Sequence, residues 1–197
     1  MPAIRPPYQG RALVLGYLAF CLLYLGSHAL QLAPPTPLQR SALDAFIPLV
    51  DWSIWVYLSQ FLLLPLAIVW ARNSSDRSRV YYAALIATLI AALIFLLWPT
   101  QLDRPAMPVG GLTAHAWSLL FATDTDGNCF PSLHVALATL AGASLWRRGW
   151  RSVAVAWPAL IMLATLTTKQ HIVWDTLGGL VLAVMVWVLT PRLLSYD

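Results

Sequence analysis

Apolar residues fall into six long runs, at about residues 12–31, 50–71, 79–99, 132–147, 152–168 and 171–190, each bounded by Arg, Pro or Trp. A membrane-crossing helix needs about 20 predominantly apolar residues. The pattern therefore predicts an all-α integral membrane bundle of six transmembrane helices, forming one membrane-embedded domain over residues 1–197. The first run has no clear small-residue cleavage site and is followed by others like it, so it is expected to stay as a helix rather than act as a signal peptide. Trp residues near the run ends suit anchoring at the membrane interface. Between the runs, Pro34-Pro35-Thr36-Pro37 predicts a stiff surface connection. The stretch from Leu112 to Ala122, inside the longest connection, predicts a short interfacial helix.

Composition narrows the class further. Hydrophobic residues make up 59% of the chain and charged residues 10%, against roughly 25% charged in a soluble domain. An ordinary soluble domain is excluded. The net charge is +4, but no basic run is longer than Arg147-Arg148, so a nucleic-acid partner is not expected and the positive charge is read as topology. Six crossings put both termini on one side. That side takes Arg5, Arg11, Arg72, Arg77, Arg79, Arg147, Arg148, Arg151 and Arg192, and the other takes only Arg40, Arg104 and Lys169. By the positive-inside rule both termini are expected in the cytoplasm of a multi-pass cell-membrane protein. The other face holds segments 32–49 and 100–131, a tight turn near 168–170, and six of the eight acidic residues, all of which are Asp.

Several patterns carry less weight. Cys21 and Cys129 are the only cysteines, which excludes a disulfide framework and a Cys-based zinc site. The triplet Asn73-Ser74-Ser75 lies in an expected cytoplasmic loop, where glycosyl transfer does not occur. Asp124-Thr125-Asp126-Gly127-Asn128 is like the start of a calcium loop, but Val135 stands where that loop needs Glu, so an Asp-Gly turn is the reading.

Ionisable residues at the ends of membrane helices are costly and become functional candidates. Three clusters qualify, all assigned to the extracytoplasmic face: Pro99 to Pro105, Cys129 to His134, and Thr167 to His171 followed by Asp175. His171 and Asp175, four apart, share one helix face. A carboxylate on one imidazole nitrogen fixes the tautomer and leaves the other nitrogen free as a nucleophile. A buried pair that locks two helices together fits the same spacing. His134 and Ser132 follow Pro131 at a helix start, where unpaired N–H groups and the dipole favour an anion. Arg104 and Lys169 bring cations to the same face. Two imidazoles, a carboxylate, a guanidinium and an ammonium describe a phosphate site better than a metal site.

These residues resemble the type 2 phosphatidic acid phosphatase superfamily of integral-membrane phosphatases and phosphotransferases. Its Pro-Ser-x-His motif is complete as Pro131-Ser132-Leu133-His134. Its Arg-Pro element matches Arg104-Pro105, with Leu97 where a Lys is usual. Its final His and Asp match His171 and Asp175, with Ala164 and Thr165 where Ser-Arg is usual. Pro99-Thr100, the Phe-Pro-Ser-Leu-His wording and Lys169-Gln170-His171 are similar to the inositol phosphorylceramide synthase branch. The resemblance implies six helices, an active site at the outer membrane face, and no metal or other cofactor. It implies that His171 attacks phosphorus and becomes a phosphohistidine, that Asp175 orients it, and that His134 protonates the leaving oxygen. Arg104, Ser132 and Lys169 would hold the phosphoryl oxygens, Lys169 standing in for the missing cations. Asp103 is read as a solvated loop residue, and His28 and His115 as interfacial.

The expected function is hydrolysis of a phosphomonoester or diphosphate lipid at the outer face, with a lipid phosphate as substrate and membrane lipids around it. A phosphotransferase that moves a phospho-head group between lipids is the close alternative. A transporter or non-catalytic scaffold is the alternative from another class. Oligomeric state is left open, since Gly142, Gly178 and Gly179 suit helix packing within one chain or between two.

Overall fold

Asn73, Ser41 and Ser132 each precede a helix, where a side-chain oxygen can take up a backbone N–H that has no partner inside the helix. The computed structural model describes residues 1–106 and 110–194, and in it all three residues do this. Asn73 Oδ1 accepts from Asp76 N at 2.8 Å, Ser41 Oγ from Asp44 N at 3.2 Å, and Ser132 Oγ from Val135 N at 3.4 Å. The Asn-Ser-Ser triplet therefore has a structural use as a helix cap.

About 72% of the described residues are helical, with almost no sheet among them. Its helices are α1 (Gln9–Ala29), α2 (Ala42–Phe46), α3 (Ile54–Leu58), α4 (Gln60–Val69), α5 (Ser74–Leu97), α6 (Gly111–Thr123), α7 (Leu133–Arg148), α8 (Arg151–Thr167) and α9 (Val173–Leu193). Each of the six apolar runs becomes helix. The second is divided at Ser59, whose hydroxyl donates to the Val56 carbonyl at 2.6 Å and so competes with the backbone ladder. The helix expected over 112–122 is α6. The connection over 32–49 contains α2 and a two-residue strand, β1 (Thr36–Pro37), parallel to β2 (Thr100–Gln101).

Among the described residues, four stretches are long and apolar enough to cross a membrane: Pro6–Ala29, Asp51–Val69, Ser74–Leu97 and Val173–Arg192. The expectation of six is met only to that extent. Helix α8 is apolar but has 17 residues, and α7 has 16, about 24 Å of helix. The Ser132 cap and left-handed Gly149 set the ends of α7, and packing sets its composition. One face of α7 meets α5 and α9 through Leu133, Ala136, Leu137 and Leu140, and another meets α4 and α8 through Ala138, Ala141 and Leu145. Enclosed by its neighbours, α7 is built from small residues that let backbones approach, and its hydropathy falls accordingly. Helix α1 is the opposite case, with hardly any of its apolar window fully buried although Phe20 and Tyr24 pack against the core.

Glycines make the closest approaches. A Cβ at Gly142 would lie 2.5 Å from the Ala154 carbonyl oxygen, one at Gly178 would lie 2.5 Å from the Phe130 ring, and one at Gly179 would collide with the Ser132 carbonyl oxygen. All three thus serve packing within the chain. Because the obstacle at Gly179 is backbone, Gly179→Ala is expected to cost about 1–3 kcal/mol by overpacking and to push the start of α7 away from α9. Thermal unfolding of the detergent-solubilised protein checks this, and an unchanged midpoint would contradict it.

The two ends of the bundle differ in chemistry. Around the start of α5, Arg147 pairs with Asp76 at 2.7 Å, and Arg77 donates to the carbonyls of Ile68 and Ile4. The other end collects the end of α5, the starts of α7 and α9, and the turn after α8. Segment 40–47 is fastened across that end. Arg40 donates to the carbonyls of Asp103 and Lys169, and Asp44 Oδ1 accepts from Val173 N at 2.8 Å.

Candidate active site

The loop before α7 is held by a residue of β2. Thr100 is fully buried, and its hydroxyl oxygen accepts from Cys129 N at 3.1 Å and Phe130 N at 3.0 Å. Ser132 N donates to the Asp175 carbonyl at 2.9 Å, an approach that Gly179 permits. Ser132 itself is fully buried and caps α7.

At the second residue of α7, the His134 ring stacks on Tyr57 with centroids 4.1 Å apart and meets the Phe61 ring edge-on at 6.1 Å. Its Nδ1 is 3.3 Å from the Tyr57 hydroxyl. Its Nε2 is shielded from solvent and has no hydrogen-bond partner among the described residues.

His171 sits in a tight turn between α8 and α9. Lys169 takes a left-handed backbone conformation there, with φ 58°, and His171 N donates to the Thr165 carbonyl at 3.1 Å. His171 Nδ1 lies 3.4 Å from Asp175 Oδ2, a long contact, and the same oxygen accepts from Ile172 N at 3.1 Å. Asp175 therefore caps α9 while facing the imidazole. It is fully buried, and its Oδ1 has no partner among the described residues. The His134 and His171 rings are 6.2 Å apart and tilted by 55°.

A cavity of about 20 Å³ joins these groups, lined by His134, His171, Arg104 and Lys169 together with Tyr57 and Asp124. That is room for a water. Four of the six expected site residues thus share one cavity, with Asp175 behind His171 and Ser132 in the cap of α7. The two cations are engaged elsewhere. Arg104 lies over the Phe121 ring at 4.5 Å and donates to the carbonyls of Phe121 and Asp124 at 3.2 and 2.7 Å, which leaves Nε without a partner among the described residues. Lys169 Nζ donates to the Asp44 carbonyl at 2.8 Å and to the Ile47 carbonyl. Burial, followed by the nearby Arg40 guanidinium, lowers the Lys169 ammonium below its ordinary range, and Asp44 opposes this. Asp103 is exposed, His115 faces the Gly111 carbonyl in an exposed position, and His28 packs beside Gly127.

Several participants had little signature in the sequence. Asp124 accepts from the Tyr24 hydroxyl at 2.6 Å and from Thr125 N at 2.8 Å, and it lies 3.5 Å from the Tyr57 hydroxyl. The acidic turn is therefore anchored to α1 and α3. Asp44 alone was foreshadowed, since Ser41-x-x-Asp44 has capping-box spacing, and that box is present. Burial tends to raise the Asp44 carboxyl, but hydrogen bonds from Ser41 and Val173, with the Arg40 charge, hold it below the usual range. Burial pushes the Cys129 thiol up, reinforced by the charges of Asp175, Asp124 and Asp126. Among the described residues no group of three His, Cys or Asp side chains is placed to hold a metal ion.

A family model described as the PAP2 superfamily matches residues 22–189, which include every residue of this site. The chain belongs to the PAP2 superfamily. Members of the PAP2 superfamily are generally phosphatases or related phosphotransferases, which gives the protein its coarse enzyme class. PAP2 membership and the long apolar helices also agree on a membrane protein. Comparison with curated proteins gives no significant match.

Proposed function

We propose that this PAP2 protein hydrolyses a phosphomonoester or diphosphate lipid at the extracytoplasmic membrane face through a phosphohistidine on His171. The observation that carries the reading is the pair of imidazoles 6.2 Å apart over one cavity, one backed by a buried carboxylate. With Nδ1 facing Asp175, His171 Nε2 attacks phosphorus. The bond from phosphorus to the lipid oxygen breaks, and His134 Nε2, having taken the proton of the bound phosphate monoanion, passes it to that oxygen and is left bare for the second half. In the second half His134 takes a proton from water, which attacks phosphorus and releases phosphate from His171. Arg104 and Lys169 neutralise the phosphoryl oxygens after exchanging their present carbonyl partners for the substrate, and Ser132 keeps the helix start in place beside them.

In this reading all six helical units cross the bilayer. Both termini are cytoplasmic, as the nine-to-three distribution of basic residues supports. Helices α7 and α8, being short, would do so inside the bundle rather than against lipid.

A transferase moving a phospho-head group to a lipid alcohol is favoured by one specific feature. Leu97, Ala164 and Thr165 stand where hydrolases of this pattern usually carry cations or a hydroxyl-Arg pair. Purified protein incubated with phosphatidic acid, undecaprenyl diphosphate and phosphatidylinositol, with and without ceramide, separates the two. Free phosphate without a new lipid is expected. A new phospholipid formed only when ceramide is present would establish the transferase. Acid-labile, base-stable radiolabel on His171 after quenching is expected in either case, and its absence would return the transporter or scaffold class to consideration.

A further inference from the structure

We propose that Tyr57 and Asp124 form a positioning relay that keeps His134 protonated on Nδ1, so that Nε2 alone exchanges the catalytic proton. The catalytic part of this inference rests on the phosphoryl-transfer reading, while the hydrogen-bond direction rests on geometry alone.

The direction follows from what each group can give. An ionised carboxylate only accepts, a phenol gives one proton, and a neutral imidazole gives one. Asp124 Oδ1 already receives the Tyr24 hydroxyl and Thr125 N, and Oδ2 lies 3.5 Å from the Tyr57 hydroxyl. With the Tyr57 proton turned to Oδ2, its phenol oxygen is an acceptor 3.3 Å from His134 Nδ1. For that contact to be a hydrogen bond, Nδ1 then carries the imidazole proton. The opposite tautomer would put a proton on Nε2, the buried nitrogen that has no partner among the described residues, and would leave it unable to take a proton from water.

Three further contacts hold the relay in place. The Tyr57 ring stacks on the imidazole, Arg104 Nη2 donates to the Asp124 carbonyl, and Trp117, packed in the same apolar cluster as Tyr57, donates to the Asp51 carbonyl at 3.1 Å. The other ionisable groups facing His134 across the cavity are His171, Arg104, Lys169, Cys129 and Asp126. None of these has a hydrogen bond to the His134 ring, and Asp175 reaches it only through His171.

Tyr57→Phe keeps the stacked ring and removes only the hydroxyl, so it tests the relay directly. The readout is kcat/KM, which covers the steps up to release of the alcohol. With dioctanoyl phosphatidic acid, whose leaving alkoxide needs a proton, a fall of about 10–100-fold is expected. With a nitrophenyl phosphate, whose leaving group does not, the fall is expected to stay below about 3-fold. Asp124→Asn should show the same contrast. In a His134→Ala background Tyr57→Phe should add nothing. Equal losses on both esters, or losses that multiply with His134→Ala, would mark a merely structural residue and overturn the proposal.

Nitrogen-15 spectra of the histidine-labelled full chain read the tautomer without any substrate. Wild type is expected to show His134 with a proton on Nδ1, and Tyr57→Phe is expected to shift it toward Nε2. A wild-type Nε2–H tautomer, or one that Tyr57→Phe leaves unchanged, would overturn the relay. An Nδ1–H tautomer in a protein inactive on every ester would instead remove the phosphatase reading and support the positioning role.

Discussion

A His171→Ala protein is expected to release phosphate from its lipid at least about 10⁴-fold more slowly than wild type, the scale seen when a covalent nucleophile is deleted. No other nitrogen can replace it. The His134 ring is 6.2 Å away and fixed between Tyr57 and Phe61, while the Arg104 and Lys169 side chains are cations without a lone pair to offer. The loss should not come from unfolding. Among the described residues the His171 side chain has one hydrogen-bond contact, at 3.4 Å, and Asp175 Oδ2 would keep its bond from Ile172 N. Steady-state phosphate release, measured beside thermal unfolding of the same preparation, separates the two causes. Full activity in the variant would end the phosphohistidine reading.

Asp175→Asn is expected to lower kcat by about 10²–10⁴-fold with little change in KM, because the charge that supports a forming imidazolium is lost while the side-chain shape remains. The amide oxygen can sit where Oδ2 now sits and still accept from Ile172 N. The amide NH₂ would then occupy the Oδ1 position, which has no partner among the described residues. A buried donor without an acceptor costs about 1–3 kcal/mol, so a moderate drop in the thermal midpoint should accompany the loss. An Asn variant with wild-type kcat would reduce the His171 and Asp175 pair to a helix lock.

What the sequence made legible follows a physical division. Long apolar runs must become helices wherever lipid excludes other ways of satisfying the backbone, and the six runs do. The His171 and Asp175 pair and the start at Ser132 and His134 are local patterns, set by helix periodicity and capping, and they too could be read. The length of α7 could also be read, since the run at 132–147 is as short as the helix, but its enclosure by α4, α5, α8 and α9 could not, being a tertiary fact. The roles of Tyr57 and Asp124 were hidden because Tyr57 meets Asp124 and His134 across 67 and 77 positions and Asp124 meets Tyr24 across 100. Lys169 was visible as a charge, but its acceptors are the carbonyls of Asp44 and Ile47. Main-chain oxygens carry no residue-specific signal, so a cation read as free for phosphate proves to be held by the segment fastened across that end of the bundle.

The small size of the cavity bears on chemistry after the first bond has formed. A space of about 20 Å³ admits water nearly one molecule at a time. Under the proposed mechanism the phosphorylated imidazole would therefore meet its acceptors by kinetic competition for entry rather than at bulk concentration. Whether phosphate leaves alone or on an alcohol then depends on which acceptor reaches His134 first. A modest change in the residues that line the cavity, such as Leu102 or Gln170, would then shift one chain between hydrolysis and transfer with its two histidines untouched.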